Sequence, residues 1–228
     1  TAHGGFISAA VQVQADGAAC GQRGVFVCAD EITEGELVCS LPQRLLITTA
    51  YAKSLLPFGP ALDSAAGEML SDAAGLLLLT ALLLWHGAQH LCRQASCLSG
   101  LDAECRSRGE MAFHRPYYEA LPTDMSYMPL LCPKQDLLNA FIEGSHFARM
   151  LKAKRHALGL EFALLQSCSG KEMAGLSWDS FLWARAVVSS RAYSLQVDGE
   201  QQRCLVPWAD LMNHDSGPCI GVQYSCQD

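Results

Sequence analysis

A cluster of polar side chains follows an apolar stretch near residue 210. Leu205 and Val206 are typical of the end of a buried strand, and Asp210, Asn213 and His214 follow closely. Polar groups placed directly after a buried strand are commonly site residues, because the strand holds them rigidly. A carboxylate, an amide and an imidazole at this spacing therefore indicate a ligand-binding site. A turn that is capped by its own Asp and Asn side chains is the alternative interpretation.

The segment before this cluster brings a guanidinium onto an apolar helix face. Trp183, Val187 and Arg191 are spaced four residues apart, so they share one face of the helix that we predict from residue 178 to residue 190. Arg191 therefore needs a partner at the helix end, since an unpaired buried charge is costly. The carboxylate of Asp210 or that of a ligand can provide it.

A third candidate segment is glycine-rich and precedes a predicted strand. It reads Gly21-Gln22-Arg23-Gly24. Glycines at the start of a strand allow the backbone to approach a ligand closely. An ordinary hairpin loop is the alternative interpretation.

The sequence lacks the common motifs for zinc and for a serine nucleophile. No two of the 11 cysteines form a Cys-x-x-Cys pair, and Gly87 replaces the Glu that a His-Glu-x-x-His helix needs between His86 and His90. No Gly-x-Ser-x-Gly motif occurs either. We expect no metal ion, and we interpret the cysteines mostly as small buried apolar residues in a reducing compartment.

Charge and hydropathy exclude two classes of partner. The net charge is −7 at pH 7, and an acidic chain gains little from releasing the counterions of a nucleic acid. The same sign is compatible with a basic protein substrate. Residues 76–85 are the most apolar stretch, about half of the roughly 20 residues needed to cross a bilayer. We therefore predict a buried helix there, no membrane span and no nucleic-acid partner.

The elements that must position these groups form a β-rich chain with a helical middle. Residues 4–49 are strand-like and residues 50–175 are mainly helical, with a long amphipathic stretch that breaks near Gly144 and Ser145. Prolines prevent residues 116–133 from forming one regular element. We expect an α+β fold in which a helical insertion splits a β-rich domain. Strands are expected at residues 11–13, 25–28, 37–41, 45–47, 192–197, 203–207 and 220–225.

In this order the segments resemble the SET-domain methyltransferases. The resemblance is to the class that contains Rubisco large-subunit lysine methyltransferase and actin-histidine methyltransferase, and it covers nearly all 228 residues. Ser190-Arg191-Ala192-Tyr193 is similar to the family's "RSRAF" segment, and residues 206–214, VPWADLMNH, are similar to "VPxxDxxNH". Two further matches, to the first SET half and to the start of the insertion, lie at residues 23–48 and 116–122.

The resemblance implies that S-adenosyl-L-methionine is the cofactor. It assigns the backbone of Gly21, Gln22 and Arg23 to cofactor binding, together with the side chains of Asn213 and His214. The family usually has Glu at the position of Gly21 and an apolar residue at that of Arg23. Main-chain contacts survive those changes, whereas a side-chain contact from the Glu does not.

The resemblance also assigns Arg191 and Asp210 to substrate binding. No metal is needed, because a sulfonium donor carries its own leaving group. The family's catalytic tyrosine is expected beyond Asp228, since Tyr224 lies too early. We expect an N-terminal SET half at residues 1–70, a helical insertion at 71–175 and a C-terminal SET half at 176–228, with the last SET segment and the substrate domain missing.

The implied activity is methyl transfer to a lysine side chain of a protein substrate. Transfer to a histidine is one alternative, and a non-catalytic binding module that keeps the SET fold is another. The expected location is intracellular, in the plastid or the cytoplasm.

Overall fold

Strands lie at both ends of the chain and helices lie between them. The computed structural model describes residues 4–15, 23–29, 31–70, 73–94 and 113–212. The chain divides into a strand unit, Thr1–Ile47 with Arg191–Asp228, and a helical unit, Thr48–Ser190. This mixture of helix and sheet confirms the α+β fold class. The division at residues 70 and 175 into two SET halves and an insertion stays a prediction.

The first part of the strand unit consists of short antiparallel pairs. Strand β1, Phe6–Ile7, pairs with β4, Cys39–Ser40. Strand β2, Val11–Ala15, pairs with β3, Arg23–Val27, so that the first residue of each strand lies opposite the last residue of the other. The strand β5, Ile47–Thr48, belongs to a third sheet, described below.

The strands expected at residues 37–41 and 45–47 are shorter in the structure than in the prediction. Only Cys39–Ser40 and Ile47–Thr48 are strands, and a 3-10 helix, Gln43–Leu45, lies between them. Pro42 is the N-cap of this helix, with φ −64°. Because proline lacks an N–H and has a fixed φ, it ends strand pairing and favours a helical turn after it.

The second part of the strand unit is a hairpin that leads toward the candidate site. Strands β6, Tyr193–Val197, and β7, Glu200–Leu205, pair with Val197 opposite Glu200, and β5 completes the sheet in the order β5-β7-β6. Asp198 and Gly199 form the loop, with φ values of 53° and 79°. Two successive positive φ values are typical of a type I′ turn, whose twist matches that of the paired strands.

The helical unit contains the long segments that the apolar pattern predicts. The expected break near Gly144 and Ser145 is confirmed, because Gly144 has φ 75° and the Ser145 side chain caps the next helix by accepting from Ala148 N at 3.0 Å. The bounds are Thr49–Leu55 for α1, Gly59–Leu70 for α2, Ala74–Gln94 for α3, Arg115–Ala120 for α4, Gln135–Ile142 for α5, His146–Ser169 for α6 and Trp178–Arg191 for α7.

Helix α3 forms the centre of the helical unit. Every residue from 77 to 86 is buried, which confirms the predicted buried helix. A helix that is apolar on all sides belongs in a protein core. Thr80 is tolerated there because its hydroxyl donates to the Leu76 carbonyl at 2.7 Å. Among the described residues, no helix combines the length and hydropathy that a membrane span requires.

A buried ion pair holds α7 against α6. Arg185 Nε lies 2.6 Å from Glu161 Oε2, and each side chain is only 3% exposed. The same guanidinium bonds the Ser189 hydroxyl one turn later. Since two buried charges are stable only with well-formed partners, this pair fixes the position of α7 along α6.

Five cysteines of the described residues have free thiols, and their burial differs from the prediction. Cys204 is buried, whereas Cys28 is exposed; Cys39, Cys132 and Cys168 are partly buried. The interpretation of the cysteines as mostly buried residues is therefore wrong for this set. Residue type alone does not predict the exposure of Cys28, because this depends on its position directly after the edge strand β3, where the side chain meets solvent.

The β6–β7 turn generates a stability prediction. We expect Gly199→Ala to lower the free energy of unfolding by about 1–2 kcal/mol, because an alanine at positive φ is strained. Gly67→Ala is the matched control: Gly67 lies inside α2, and a Cβ there meets nothing within 4 Å. That change should raise stability by about 0.5–1 kcal/mol. Denaturant unfolding of both variants tests the two opposite signs.

A buried histidine in the helical unit gives stability a pH dependence. The imidazole of His114 is surrounded by the rings of Tyr51, Phe113 and Tyr118, with centroids 5.3, 4.9 and 6.5 Å away. Burial lowers the pKa of His114 to about 4 from its ordinary value of 6.5. The unfolded chain therefore takes up this proton at a higher pH than the folded protein does.

Stability linked to His114 should be complete above pH 6.5 and should be lost as the pH falls toward 4. We expect His114→Phe to flatten the dependence of the melting temperature on pH between 7 and 5. The control is His156→Phe, at an exposed position of α6, which should keep the wild-type slope. Equal slopes for wild type and His114→Phe would contradict this assignment.

Candidate functional site

The strand β7 leads into a tight turn that contains Asp210. Cys204, Leu205 and Val206 are buried, so the strand end is fixed in the core. The chain then reverses at Trp208, which has φ 74° and ψ −51°. A non-glycine residue in this conformation costs about 1–3 kcal/mol and persists only where its surroundings enforce it.

Hydrogen bonds within the turn and apolar packing both enforce this conformation. Asp210 N donates to Val206 O at 3.0 Å, and Leu211 N donates to Trp208 O at 3.1 Å. The 3-10 helix Ala209–Leu211 follows directly. The turn packs on an apolar cluster whose buried members are Val197, Cys204, Val206 and Ala209, with Leu41, Leu46, Tyr193, Leu195 and Trp208 around them.

The predicted guanidinium and carboxylate meet in this turn. Arg191 Nη1 donates to the backbone carbonyl of Asp210 at 2.9 Å and lies 3.8 Å from Asp210 Oδ1. The Asp210 side chain is 0% exposed and the Arg191 side chain 16% exposed. Of the two partners that the sequence left open for Arg191, the structure provides Asp210. The guanidinium therefore bonds the backbone of Asp210 and lies within ion-pair distance of its carboxylate.

Tyr193 holds the same turn, a role that its place in the sequence did not predict. Its hydroxyl donates to the Ala209 carbonyl at 3.1 Å. Two successive carbonyls, those of Ala209 and Asp210, thus each accept a hydrogen bond from a side chain at residues 191–193. The sequence signal was the tyrosine that follows Arg191-Ala192, at the position where the similar "RSRAF" segment has a phenylalanine.

The strand that follows the glycine-rich segment in sequence approaches this turn. Arg23 is the first residue of β3, and Cα atoms of β3 lie within 8 Å of those of the Ala209–Leu211 turn. Gly21 and Gln22 immediately precede this strand in sequence, while Asn213 and His214 immediately follow Met212. These four residues lie outside the described ones, as do Tyr224 and the strand expected at residues 220–225.

Other candidate chemistry is weaker in the described part of the chain. No group of three or more His, Cys, Asp or Glu side chains there could hold a metal ion. The His86 ring is buried against the ring of Tyr118, with centroids 3.9 Å apart. Such packing is typical of a core histidine.

The buried pair in the turn generates a stability prediction. We expect Arg191→Ala to lower the free energy of unfolding by roughly 3 kcal/mol, because it leaves the Asp210 carboxylate buried without its cation. Adding Asp210→Asn to this variant should recover part of the loss. Denaturant unfolding measures both effects.

Arg149→Ala is the control, since Arg149 is exposed on α6 and should change stability by less than about 0.5 kcal/mol. A loss for Arg191→Ala no greater than that of Arg149→Ala would mean that the pair does not stabilise the turn.

Comparison with known proteins identifies the fold. No protein-family model matches the sequence, and no curated protein matches it significantly. The chain is similar to the crystal structure of the SET domain of LSMT bound to lysine and AdoHcy, with 20% identity and a TM-score of 0.62, over 92% of this chain and 41% of that one.

A second crystal structure, the SET domain of LSMT bound to MeLysine and AdoHcy, gives 18% identity and a TM-score of 0.64, over 94% of this chain and 43% of that one. The chain therefore spans less than half the length of the structures it matches. The similarity extends over nearly the whole of this chain, which therefore has a SET-domain fold.

Proposed function

We propose that this chain is the SET core of a protein lysine methyltransferase that uses S-adenosyl-L-methionine. The fold supports the proposal, because similar structures contain lysine or MeLysine together with AdoHcy. The segment VPWADLMNH supports it independently, since it matches the family's pattern at every defined position. We further propose that residues 1–70 and 176–228 are the SET halves and that residues 71–175 are the insertion.

The observation that carries the proposal is the approach of β3 to the Ala209–Leu211 turn. These segments are almost 190 residues apart in sequence, and each borders residues that we assign to the cofactor. Under the proposal, the backbone at Gly21, Gln22 and Arg23 and the side chains of Asn213 and His214 bind the cofactor. An amide and a neutral imidazole offer both donors and acceptors, which suits a ligand with a carboxylate, an ammonium group and an adenine.

When bound, the cofactor would supply a methyl group on a sulfonium sulfur. A neutral lysine amine would attack the methyl carbon in line while the carbon–sulfur bond breaks and the sulfur leaves as a neutral thioether. The task of the protein is then mainly alignment, and orientation of two reactants can contribute about 7–11 kcal/mol. The strained turn suits this task because its backbone is fixed by Arg191 and Tyr193. Asn213 directly follows this fixed segment in sequence.

Arg191 and Asp210 have different roles in the proposed substrate site. The Arg191 side chain is 16% exposed, and we propose that its guanidinium donates to an acceptor of the substrate. The Asp210 carboxylate has no exposed surface. We therefore propose that it contributes to substrate binding by orienting the guanidinium.

Cofactor binding gives the primary test. We expect the full-length protein to bind S-adenosylmethionine and S-adenosylhomocysteine in calorimetry. Asn213→Ala and His214→Ala should each weaken binding by about tenfold or more, since an unpaired polar group costs about 1–3 kcal/mol. Asn139→Ala and His156→Ala are controls at exposed helix positions and should bind like the wild type.

Mass spectrometry of protein substrates after incubation with the methyl donor identifies the acceptor. We expect a gain of 14 mass units per methyl group on lysine. A gain on histidine would reassign the acceptor, and cofactor binding without any transfer would indicate a binding module. No uptake of the donor by the wild type would contradict the proposal as a whole.

A further inference from the structure

We propose that Tyr193 is a positioning residue for the cofactor-binding pair Asn213 and His214, a role that rests on the proposed function. Its hydroxyl holds the Ala209 carbonyl at 3.1 Å. The same carbonyl accepts the backbone N–H of Met212 at 3.2 Å. Tyr193 and the residue that directly precedes Asn213 are therefore bonded to one oxygen atom.

The strand pairing fixes where this hydroxyl lies. Tyr193 is the first residue of β6 and lies opposite Cys204 in β7. Its ring packs on the apolar cluster that contains Cys204, Val206 and Ala209. The sheet and the cluster restrict the orientation of the ring, so the position of the hydroxyl beside the turn is fixed.

Two lone pairs of the Ala209 carbonyl are used, one by the hydroxyl and one by Met212 N–H. The next carbonyl, that of Asp210, accepts from Arg191 at 2.9 Å. The two side chains thus hold successive peptide groups of a turn that is strained at Trp208. Loss of the tyrosine hydroxyl leaves the ring packing intact but frees one of these peptide groups to tilt.

The similar "RSRAF" segment has phenylalanine where this chain has Tyr193, so a phenylalanine ring fits this position of the fold. Tyr193→Phe is therefore expected to fold, and it removes only the hydroxyl. The arginine of that segment is matched by Arg191. The tyrosine hydroxyl adds a second side-chain hydrogen bond to the turn beside that of Arg191. Its removal should therefore weaken the positioning of Asn213 and His214 without abolishing it.

The test compares Tyr193→Phe with Tyr127→Phe in the full-length protein. Tyr127 is 59% exposed in the helical unit and serves as the matched control. We expect Tyr193→Phe to raise both the KM for S-adenosylmethionine and the Kd for S-adenosylhomocysteine by about 3- to 10-fold, as for one lost hydrogen bond. At saturating donor, kcat should change by less than about twofold, because a removed interaction that is equal in ground and transition states affects KM alone.

The outcomes separate this role from a merely structural one. A lower melting temperature with unchanged KM and Kd would overturn the positioning role, and so would equal changes in Tyr193→Phe and Tyr127→Phe. If the wild type binds the donor and Tyr193→Phe binds it equally well, only this inference fails. If the wild type binds no donor, the proposed function fails and this inference fails with it.

Discussion

The candidate site depends on one electrostatic constraint: the carboxylate of Asp210 is buried and must have a cation. Arg191 meets this need, and it also donates to the backbone carbonyl of the same residue. An ionised group in a protein interior is stable only when it is paired and hydrogen-bonded. Arg191 is therefore joined to the turn after β7 through both the carbonyl and the carboxylate of one residue.

The turn itself shows how strain and hydrogen bonding balance. Trp208 has a positive φ that a tryptophan adopts only under compulsion. Two features impose this conformation. The turn packs on the apolar cluster, and the side chains of Arg191 and Tyr193 donate hydrogen bonds to two consecutive carbonyls. Such a segment has little freedom left when a ligand arrives. Reduced freedom suits a site whose chemistry consists mainly of aligning two reactants.

The residue types predicted which side chains could form the site, but they did not predict which residues those side chains contact. The spacing of Trp183, Val187 and Arg191 predicted a guanidinium at a helix end, but it left the anion open between Asp210 and a ligand. No sequence pattern indicated the buried pair of Glu161 and Arg185, because its members lie on different helices. In the sequence, Tyr193 stood out only because it replaces the phenylalanine of the similar "RSRAF" segment. Each of these contacts joins residues whose separation in sequence carries no periodic signal.

The sequence alone determined the order of elements, the buried helix α3, the break before α6 and the identity of the polar cluster. These follow from local rules: apolar periodicity, capping by Ser145 and the conformational freedom of glycine. Only the tertiary structure decided that Asp210 pairs with Arg191, that Tyr193 holds Ala209, and that β3 lies beside the Ala209–Leu211 turn. Such contacts depend on how strands distant in sequence share one sheet and one apolar cluster, which local patterns do not specify.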